Sequence, residues 1–517
     1  MMLSIQERNV PMKKSFVMGL DIGTTSAKAV LFNFQGQVIQ ESEISYPHRY
    51  PQAGWAEQDP DEIEQAAITA IHHTLEKSAL DSKEIVAVGL SSAMHSILCL
   101  DQSGKPLSPL ITWADQRSSL QAERLKNENG IDIYHKTGTP IHPMSPLVKL
   151  IWMRETKYEP YLKAHKFVSI KEYLIYKWFG KYIVDYSVAS ASGLFNIHNF
   201  QWEKEALHLA GISAEQLSTP VPPTEVCKGL SPSIAGAMGL QQETLFVLGG
   251  SDGPLANLGI GAFDPNKMAL TIGTSGALRR ICLSPQTTAQ QEVFCYAFSK
   301  NTWVIGGASN NGGNVLKWLK DLLGSAAIQE SPSLKKDIYE SMVELVGTLN
   351  AGANGLLFLP FLHGERAPHW DPKARGSFIG LTSEHKTAHL LRAGLEGVIF
   401  NMYQIYETLS QHTGSADQIL ASGGFARSGV WLQILADVFQ KEVLVPESHQ
   451  SSAWGASWNA LYALGLAPSY QAITDFIPMK TTIYPQEINK TTYQDLYTTY
   501  KSLYEILKPA FHALGSK

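Results

Sequence analysis

Two aspartates sit where apolar runs end in small residues. In "GGSDGPLANLG", Asp252 follows the run "LFVLGG" and precedes helix-forming residues. It reads either as an N-cap of that helix or as a general base able to take a hydroxyl proton. In "GLDIGTTSAKAVLF", Asp21 ends a strand-like run, a costly place for a carboxylate unless a cation or hydrogen-bond donor meets it. Behind it Gly23, Thr24, Thr25 and Ser26 form a turn whose N–H groups and hydroxyls suit phosphate oxygens, with Asp21 suited to a metal ion. An ordinary β-hairpin is the structural alternative. The later stretch "LTIGTSGALRR" repeats the pattern with Thr271 in place of Asp21. One hairpin is thus expected to handle phosphate with metal, and the other, through Gly273, Thr274 and Ser275, phosphate alone.

Further chemistry-bearing residues lie between and beyond these hairpins. "SSAMHS" puts Met94 and His95 at a strand end, and "TWADQR" adds Trp113, Asp115 and Arg117. A carboxylate and a guanidinium suit polyol hydroxyls and a substrate carboxylate; Arg117, His95 and His142 are the candidate cations, and whether Asp115 already neutralises Arg117 stays open. "ASGGFARSGVWLQ" offers bare backbone at Gly423 and Gly424 before a helix, where a flat base and an anion can lie. "SNNGGNVLKW" offers a second glycine pair. "GERAPHWDPKARGSF" gathers Glu365, Arg366 and Arg375 around Pro368, Trp370 and Pro372, and reads as an ordered, salt-bridged loop.

The elements that must position these groups alternate between strand and helix, which argues an α/β architecture. Phe16 to Leu31 predicts two strands and "GQVIQESEISY" a third. "DPDEIEQAAITAIHHTLEKSAL" predicts a helix entered through Asp59-Pro60-Asp61, and "IVAVGLSS" a buried strand. Near Phe246 the theme restarts. Later helices are expected from about His389 and over "SSAWGASWNALYALG", whose small residues suit close packing; Lys136 to Leu147 reads as a Pro-rich ordered loop. The recurrence of the hairpin predicts a duplicated domain with a cleft between the halves, divided as residues 15–258 and 259–510. Glycine joints near Gly249-Gly250 and Gly259-Gly261 are expected to act as a hinge.

Composition sets the class. The 517 residues imply more than one domain, and the net charge of −5 favours neither nucleic acid nor an acidic membrane. Four scattered cysteines, without a CxxC pair, read as reduced thiols. No apolar run approaches the length of a membrane helix, and the opening "MMLSIQERNVPMKK" has no apolar signal core. The expectation is a cytoplasmic protein acting on a small molecule, with a homodimer as the candidate assembly.

The motifs "LDIGTTSAKAV", "GGSDG", "LTIGTSG", "GERAPHWDPKARGSFIGL" and "ASGGFARS" occur in the order seen in the FGGY carbohydrate kinases, and the resemblance runs from about Val17 to beyond Leu464. It implies two ribonuclease-H-like domains of the actin and hexokinase type, ATP and Mg²⁺ as cofactors, Asp252 as general base and Asp21 as the metal-side carboxylate. It further implies Thr24, Thr25 and Ser26 as the first phosphate loop, Gly273, Thr274 and Ser275 as the second, and Gly313, Gly424 and Ser428 in the nucleotide pocket. Met94 and His95 fall in the sugar site, with Trp113, Asp115 and Arg117 as neighbours. "SSAMHS", "TWADQRS", "KTGTPIHPMSPLVKL" and "VDYSVASASGLFNI" resemble most the members that phosphorylate gluconate at its 6-hydroxyl. Xylulose or another polyol is the alternative substrate, and a nucleotide-gated binding protein of the actin or chaperone type the non-enzymatic alternative. Phe425 departs from the family pattern, where many relatives have a third glycine.

Overall fold

The computed structural model describes residues 15–330, 338–447 and 450–515; the opening fourteen residues lie outside them. The chain forms two compact units, one of residues up to 263 with 281–304 and 450–477, the other of 264–280, 305–449 and 478 onward. A cut of the chain at 258/259 therefore describes the linear order, while each unit in space is assembled from separate segments.

The first unit is built on a sheet of six strands: β1 (Phe16–Ile22), β2 (Ser26–Asn33), β3 (Val38–Ser45), β4 (Ile85–Ser92), β5 (Val226–Cys227) and β6 (Leu245–Ser251). Their order is β5-β6-β4-β1-β2-β3. β1 runs antiparallel to β2 and parallel to β4, which runs parallel to β6. β1 is buried nearly throughout because helices cover both sheet faces, and its side chains alternate between them. Met18, Leu20 and Ile22 join Ile63, Ala67 and Ile71 of α1 (Pro60–Ser78). Val17 joins the opposite cluster with Trp454 and Trp458. As expected, α1 is entered at Asp59, whose carboxylate accepts the N–H groups of Asp61 and Glu62 at 3.0 and 3.4 Å, and Pro60 occupies its first turn.

On that opposite face two strand positions that meet the helix are glycines. A Cβ at Gly19 of β1 would overlap the Ala453 carbonyl, and one at Gly89 of β4 the Ala456 carbonyl. The same close approach recurs between this helix, Ser451–Ala463, and the helix that begins at Asp252: Gly259 abuts Ser451 and Gly455 abuts Leu255. Small residues here serve contact of backbone with backbone, as "SSAWGASWNALYALG" predicts.

Four shorter helices complete the first unit's functional frame: α2 (Pro146–Glu155), α3 (Ile170–Phe179), α4 (Tyr186–Ala191) and α5 (Asp252–Gly259). The segment read as a loop from Lys136 to Leu147 has helical ends: a helix runs to Thr137, Gly138 closes it in the left-handed conformation (φ 68°), and α2 starts at Pro146.

A second sheet, most of whose residues belong to the second unit, repeats the pattern with β7 (Lys267–Ile272), β8 (Gly276–Cys282), β9 (Thr302–Ser309), β10 (Gln418–Ser422), β11 (Glu442–Pro446) and β12 (Met479–Ile483). They lie in the order β9-β8-β7-β10-β11-β12. β7 pairs antiparallel with β8 and parallel with β10, and β10 parallel with β11. The sequence β9-β8-β7-β10-β11 thus repeats β3-β2-β1-β4-β6, and the duplication read from two hairpins extends to whole sheets. The second unit's helices include α6 (Gly313–Glu330), α7 (Thr387–Thr413), which starts two residues before the expected His389, and α8 (Gly429–Phe439). The Ser451–Ala463 helix of the first unit is α9, and α10 (Glu487–Gly515) ends the described chain.

Replacing Gly89 by alanine drives a methyl into the Ala456 carbonyl, and backbone offers no rotamer by which to yield. Gly89→Ala is expected to lose about 2 kcal/mol or more of stability, read as a lowered urea midpoint.

Candidate active site

The chemistry of the first unit gathers at the ends of β1, β4 and β6. Asp21 faces Ser91 across the parallel ladder, and the Ser91 hydroxyl donates to Asp21 Oδ1 at 2.7 Å. Burial pushes the Asp21 carboxyl up to about 6; the Ser91 bond opposes this, the negative charge of Asp252 adds to it, and Lys28 and Lys171 oppose it more weakly. Asp21 and Asp252 therefore act on each other electrostatically, an arrangement a divalent cation relieves. Among the described residues no group of three or more His, Cys, Asp or Glu could hold a metal. A carboxylate placed like Asp21 suits magnesium, which commonly takes one or two carboxylates and completes its shell with phosphate and water.

Asp252 is the first residue of α5, with Ser251 as the cap, and its Oδ1 accepts its neighbour Gly253 N–H at 2.7 Å. It is thus placed at a helix N-terminus without serving as the side-chain cap. The strand leading to it is held by a buried lysine. The ladder between β6 and β4 shifts register between Val247 and Gly250, and Lys171 Nζ donates to the Leu248 and Gly250 carbonyls at 3.2 and 2.6 Å. Lys171 also pairs with Asp185 Oδ2 at 2.7 Å. The other Asp185 oxygen accepts Ser187 Oγ–H at 2.6 Å, and Ser187 Oγ accepts the Ser251 N–H at 2.7 Å.

The hairpin turn is secured from outside. Gly23 N–H donates to the Ser26 carbonyl at 2.9 Å, and Tyr46 Oη donates toward the Gly23 and Ser26 carbonyls at 2.6 and 3.0 Å. Thr24 Oγ1 accepts Trp113 Nε1–H at 3.1 Å, and Thr25 is exposed. Ser26 is otherwise engaged: its hydroxyl donates to Glu43 at 2.5 Å, and the same carboxylate pairs with Lys28. Lys28 Nζ lies 3.0 Å from Glu43 Oε2 on the neighbouring strand.

Thr24, Met94 and Trp113 line one small cavity of about 10 Å³ with Gly23, Gln58 and Thr112. His95 adopts a left-handed backbone (φ 66°), uncommon for a residue with a side chain. Its Nδ1 lies 2.7 Å from the Ala191 carbonyl, an acceptor only, so this nitrogen carries the proton. Lys149 Nζ donates to the carbonyls of His95 and Met144 at 2.8 and 2.7 Å. Burial pushes the Lys149 ammonium down to about 7, against the pull of Asp115 and with the push of Arg117.

Asp115 and Arg117 bind each other, the arrangement that their sequence leaves open. Arg117 Nε and Nη2 donate to Asp115 Oδ1 and Oδ2 at 2.8 Å each, and Nη2 also reaches Glu57 at 2.6 Å. Its guanidinium lies 3.6 Å above the Trp55 ring. Asp115 is fully buried and also accepts the Ala56 and Arg117 N–H groups at 2.7 and 3.0 Å. The pair knits its own loop, because a buried carboxylate with a planar guanidinium in reach is satisfied there first.

In the second unit Thr271 Oγ1 meets Ser422 Oγ at 2.9 Å, at the register where Asp21 meets Ser91. Gly273 N–H closes the turn on the Ser275 carbonyl at 3.0 Å. Gly273 and Thr274 are exposed. Gly313 opens α6 against that turn, its N–H donating to the Gly273 carbonyl at 2.7 Å. Gly423 takes φ 96° where a Cβ would strike Ile272, whereas Gly424 faces open space. Ser428 caps α8 by accepting Trp431 N–H at 3.2 Å, a role that its place before a helix could have signalled. Phe425 is buried edge-on against Trp431, so it leaves the exposed glycine surface unobstructed. Sequence reasoning missed Lys171, Lys149, Tyr46 and Ser91; a lysine inside the apolar helical stretches "IKEYLIYKW" and "PLVKLIWM" was the available signal for the first two.

Two duplicated α/β sheets, each carrying a Gly/Thr/Ser hairpin beside a parallel strand, match family models along most of their length. The model of the FGGY family of carbohydrate kinases, N-terminal domain, covers residues 16–259, and that of the C-terminal domain residues 268–464. The chain belongs to this family and is a carbohydrate kinase, which implies ATP as phosphoryl donor. It is 45% identical to the gluconokinase of Bacillus subtilis, over 96% of both chains. Its fold is similar to a ligand-bound xylulose kinase from Lactobacillus acidophilus (TM-score 0.92, 34% identity, 96% of this chain and 99% of that one). A gluconate kinase from the same organism is as similar (TM-score 0.91, 33% identity, 96% and 99%). Among the described residues no helix is long and apolar enough to cross a membrane.

The raised Asp21 carboxyl predicts a measurable pH dependence. Because its folded value of about 6 exceeds the ordinary 3.8, the fold favours the protonated form. That stabilisation is complete below the unfolded value and is lost as pH rises through about 6. Asp21→Asn, which stays neutral, should match wild type near pH 4 and exceed it by about 1–3 kcal/mol at pH 7.5. Urea unfolding of the metal- and nucleotide-free protein across that range reads the difference; a gap independent of pH would contradict it.

Proposed function

We propose that this kinase phosphorylates D-gluconate at its terminal 6-hydroxyl, giving 6-phosphogluconate and ADP. The observation that carries the choice of substrate is the nearly full-length 45% identity to a gluconokinase. Asp252, at the end of β6, takes the proton of the 6-hydroxyl as its oxygen attacks the γ-phosphorus. The bond from that phosphorus to the β,γ-bridging oxygen breaks, and ADP leaves with the electron pair. The clamp of Lys171 and Ser187 fixes the strand end from which the base projects. Asp21 is the carboxylate for Mg²⁺, which supplies neutralisation of phosphate charge when bound.

The N–H groups and hydroxyls of Thr24, Thr25, Gly273, Thr274 and Ser275 suit the phosphates, and the bare backbone of Gly424 suits the base. Ser26 contributes through the turn's backbone, its hydroxyl being given to Glu43. Met94, His95 and Trp113 belong to the sugar side. Arg117 is held by two carboxylates, so the support for a partner to the gluconate carboxylate shifts to His95 and His142. Four buried, unbridged cysteines accord with work in a reducing cytoplasm.

Steady-state kinetics with ATP on gluconate, D-xylulose, glycerol and L-ribulose test the substrate. A kcat/KM at least tenfold higher for gluconate is expected; a preference for a neutral ketose would replace it with the xylulose reading. Asp252→Asn should lower kcat by about 10²-fold or more while ADP still binds, as loss of a general base requires. Turnover equal to wild type would remove Asp252 from that role.

A further inference from the structure

The "GERAPHWD" loop holds a buried carboxylate to which the reaction above gives no part. Glu365 is 1% exposed. Its Oε1 accepts the backbone N–H groups of Asn310 and Arg366 at 2.9 and 2.7 Å. Its Oε2 accepts Ser309 Oγ–H at 2.7 Å, Asn401 Nδ2–H at 2.8 Å and Asn311 Nδ2–H at 3.1 Å. These donors are hydroxyl, amide and backbone groups, in place of the salt bridge expected from the sequence. Three of them belong to consecutive residues of one turn, 309–311, and Asn401 comes from α7.

That turn leads straight into the second hairpin. Asn314 Nδ2 donates to the Asn310 carbonyl at 2.9 Å, and Gly312 N–H to Asn314 Oδ1 at 2.8 Å. From there Gly313 N–H donates to the Gly273 carbonyl at 2.7 Å, and Asn314 N–H to the Thr274 carbonyl at 3.1 Å. A Cβ at Gly312 would come within 2.6 Å of the Ser275 carbonyl carbon, and one at Gly313 within 2.6 Å of the Gly273 oxygen. Backbone lies on backbone, so the hairpin cannot move without the turn, and the turn is tied to one carboxylate.

We propose that Glu365 is a positioning residue for the nucleotide: it fixes the Ser309–Gly313 turn, and through it the Gly273–Ser275 hairpin, in the geometry that receives the phosphates. This rests on the reading of that hairpin as a phosphate loop. Both oxygens are required as acceptors, because an amide in the same place turns a donor toward groups that are donors already. Glutamine is thus no conservative replacement at this position. An apolar core would be served equally well by an uncharged residue; five converging donors are explained by the need to hold one backbone path.

Calorimetric titration of wild type, Glu365→Gln and Ser309→Ala with ADP, and separately with the sugar that wild type turns over best, tests this. Glu365→Gln should raise the ADP Kd at least tenfold and Ser309→Ala about threefold, with the sugar Kd within twofold of wild type. An ADP Kd unchanged in either folded variant overturns the proposal, as does equal weakening of ADP and sugar. If Glu365→Gln does not fold, Ser309→Ala decides alone by the same two readings. Failure of wild type to bind ADP would instead overturn the phosphate-loop reading, so the two failures are told apart.

Discussion

The close approach of α9 to β1, β4 and α5 governs the first unit. Where Gly19, Gly89, Gly259 and Gly455 meet the carbonyls of Ala453, Ala456, Ser451 and Leu255, the distance between helix and sheet is set by main-chain atoms. Side chains can hop between rotamers, whereas a carbonyl against a Cα has no slack. The strands so fixed are those that end in Asp21 and Ser91, and α5 begins at Asp252. Placement of two mutually repelling carboxylates is thereby delegated to contacts of backbone on backbone. Around it, Trp454 and Trp458 pack with Phe32, Val17 and Leu258, adding apolar burial to a geometry the glycines define.

The two sheets show how one scaffold takes on different chemistry at equivalent points. At the end of the first strand, next to the parallel neighbour, the first unit has a carboxylate bonded to a serine and the second a threonine bonded to a serine. The surrounding hydrogen-bond patterns are alike, including the Gly N–H that closes each turn. Exchanging one side chain at that register replaces an ionisable group with a neutral one. The two units also differ in what braces the hairpin: Tyr46 in the first, the amides at the start of α6 in the second.

Much of this was legible because it is local. The hairpins, the helix entered through Asp59 and Pro60, and the small-residue helix each announce themselves within a dozen residues, and the order of motifs along the chain carried the family. What escaped was set by neighbours remote in sequence. Nothing in "GTTSAK" says that the Ser26 hydroxyl turns to Glu43 on an adjacent strand, and nothing in "TWADQR" says that Glu57 and Trp55 are waiting for Arg117. Ser428 could have been read as a cap, since it stands before a helix, but its motif suggested the pocket. Lys171 illustrates the limit best: its purpose depends on a register shift in β6, and a shift of that kind leaves no trace in composition or period.

The segments that complete the first unit also bear on how the chain is made. Its sheet is finished early in synthesis, with all six strands inside the first 251 residues, yet the helix that covers one face begins only at Ser451. During roughly 10–40 s of translation at ordinary rates, the apolar faces of Val17, Phe32 and Val247 have no partner from α9 to cover them. A nascent chain in that condition is a client for chaperones, and the same glycines that later admit the helix leave a smooth, sticky surface in the meantime. A ribosome that stalls inside the second half therefore strands a first unit that cannot close, and the amino-terminal half released alone would carry its hydrophobic seam into solution.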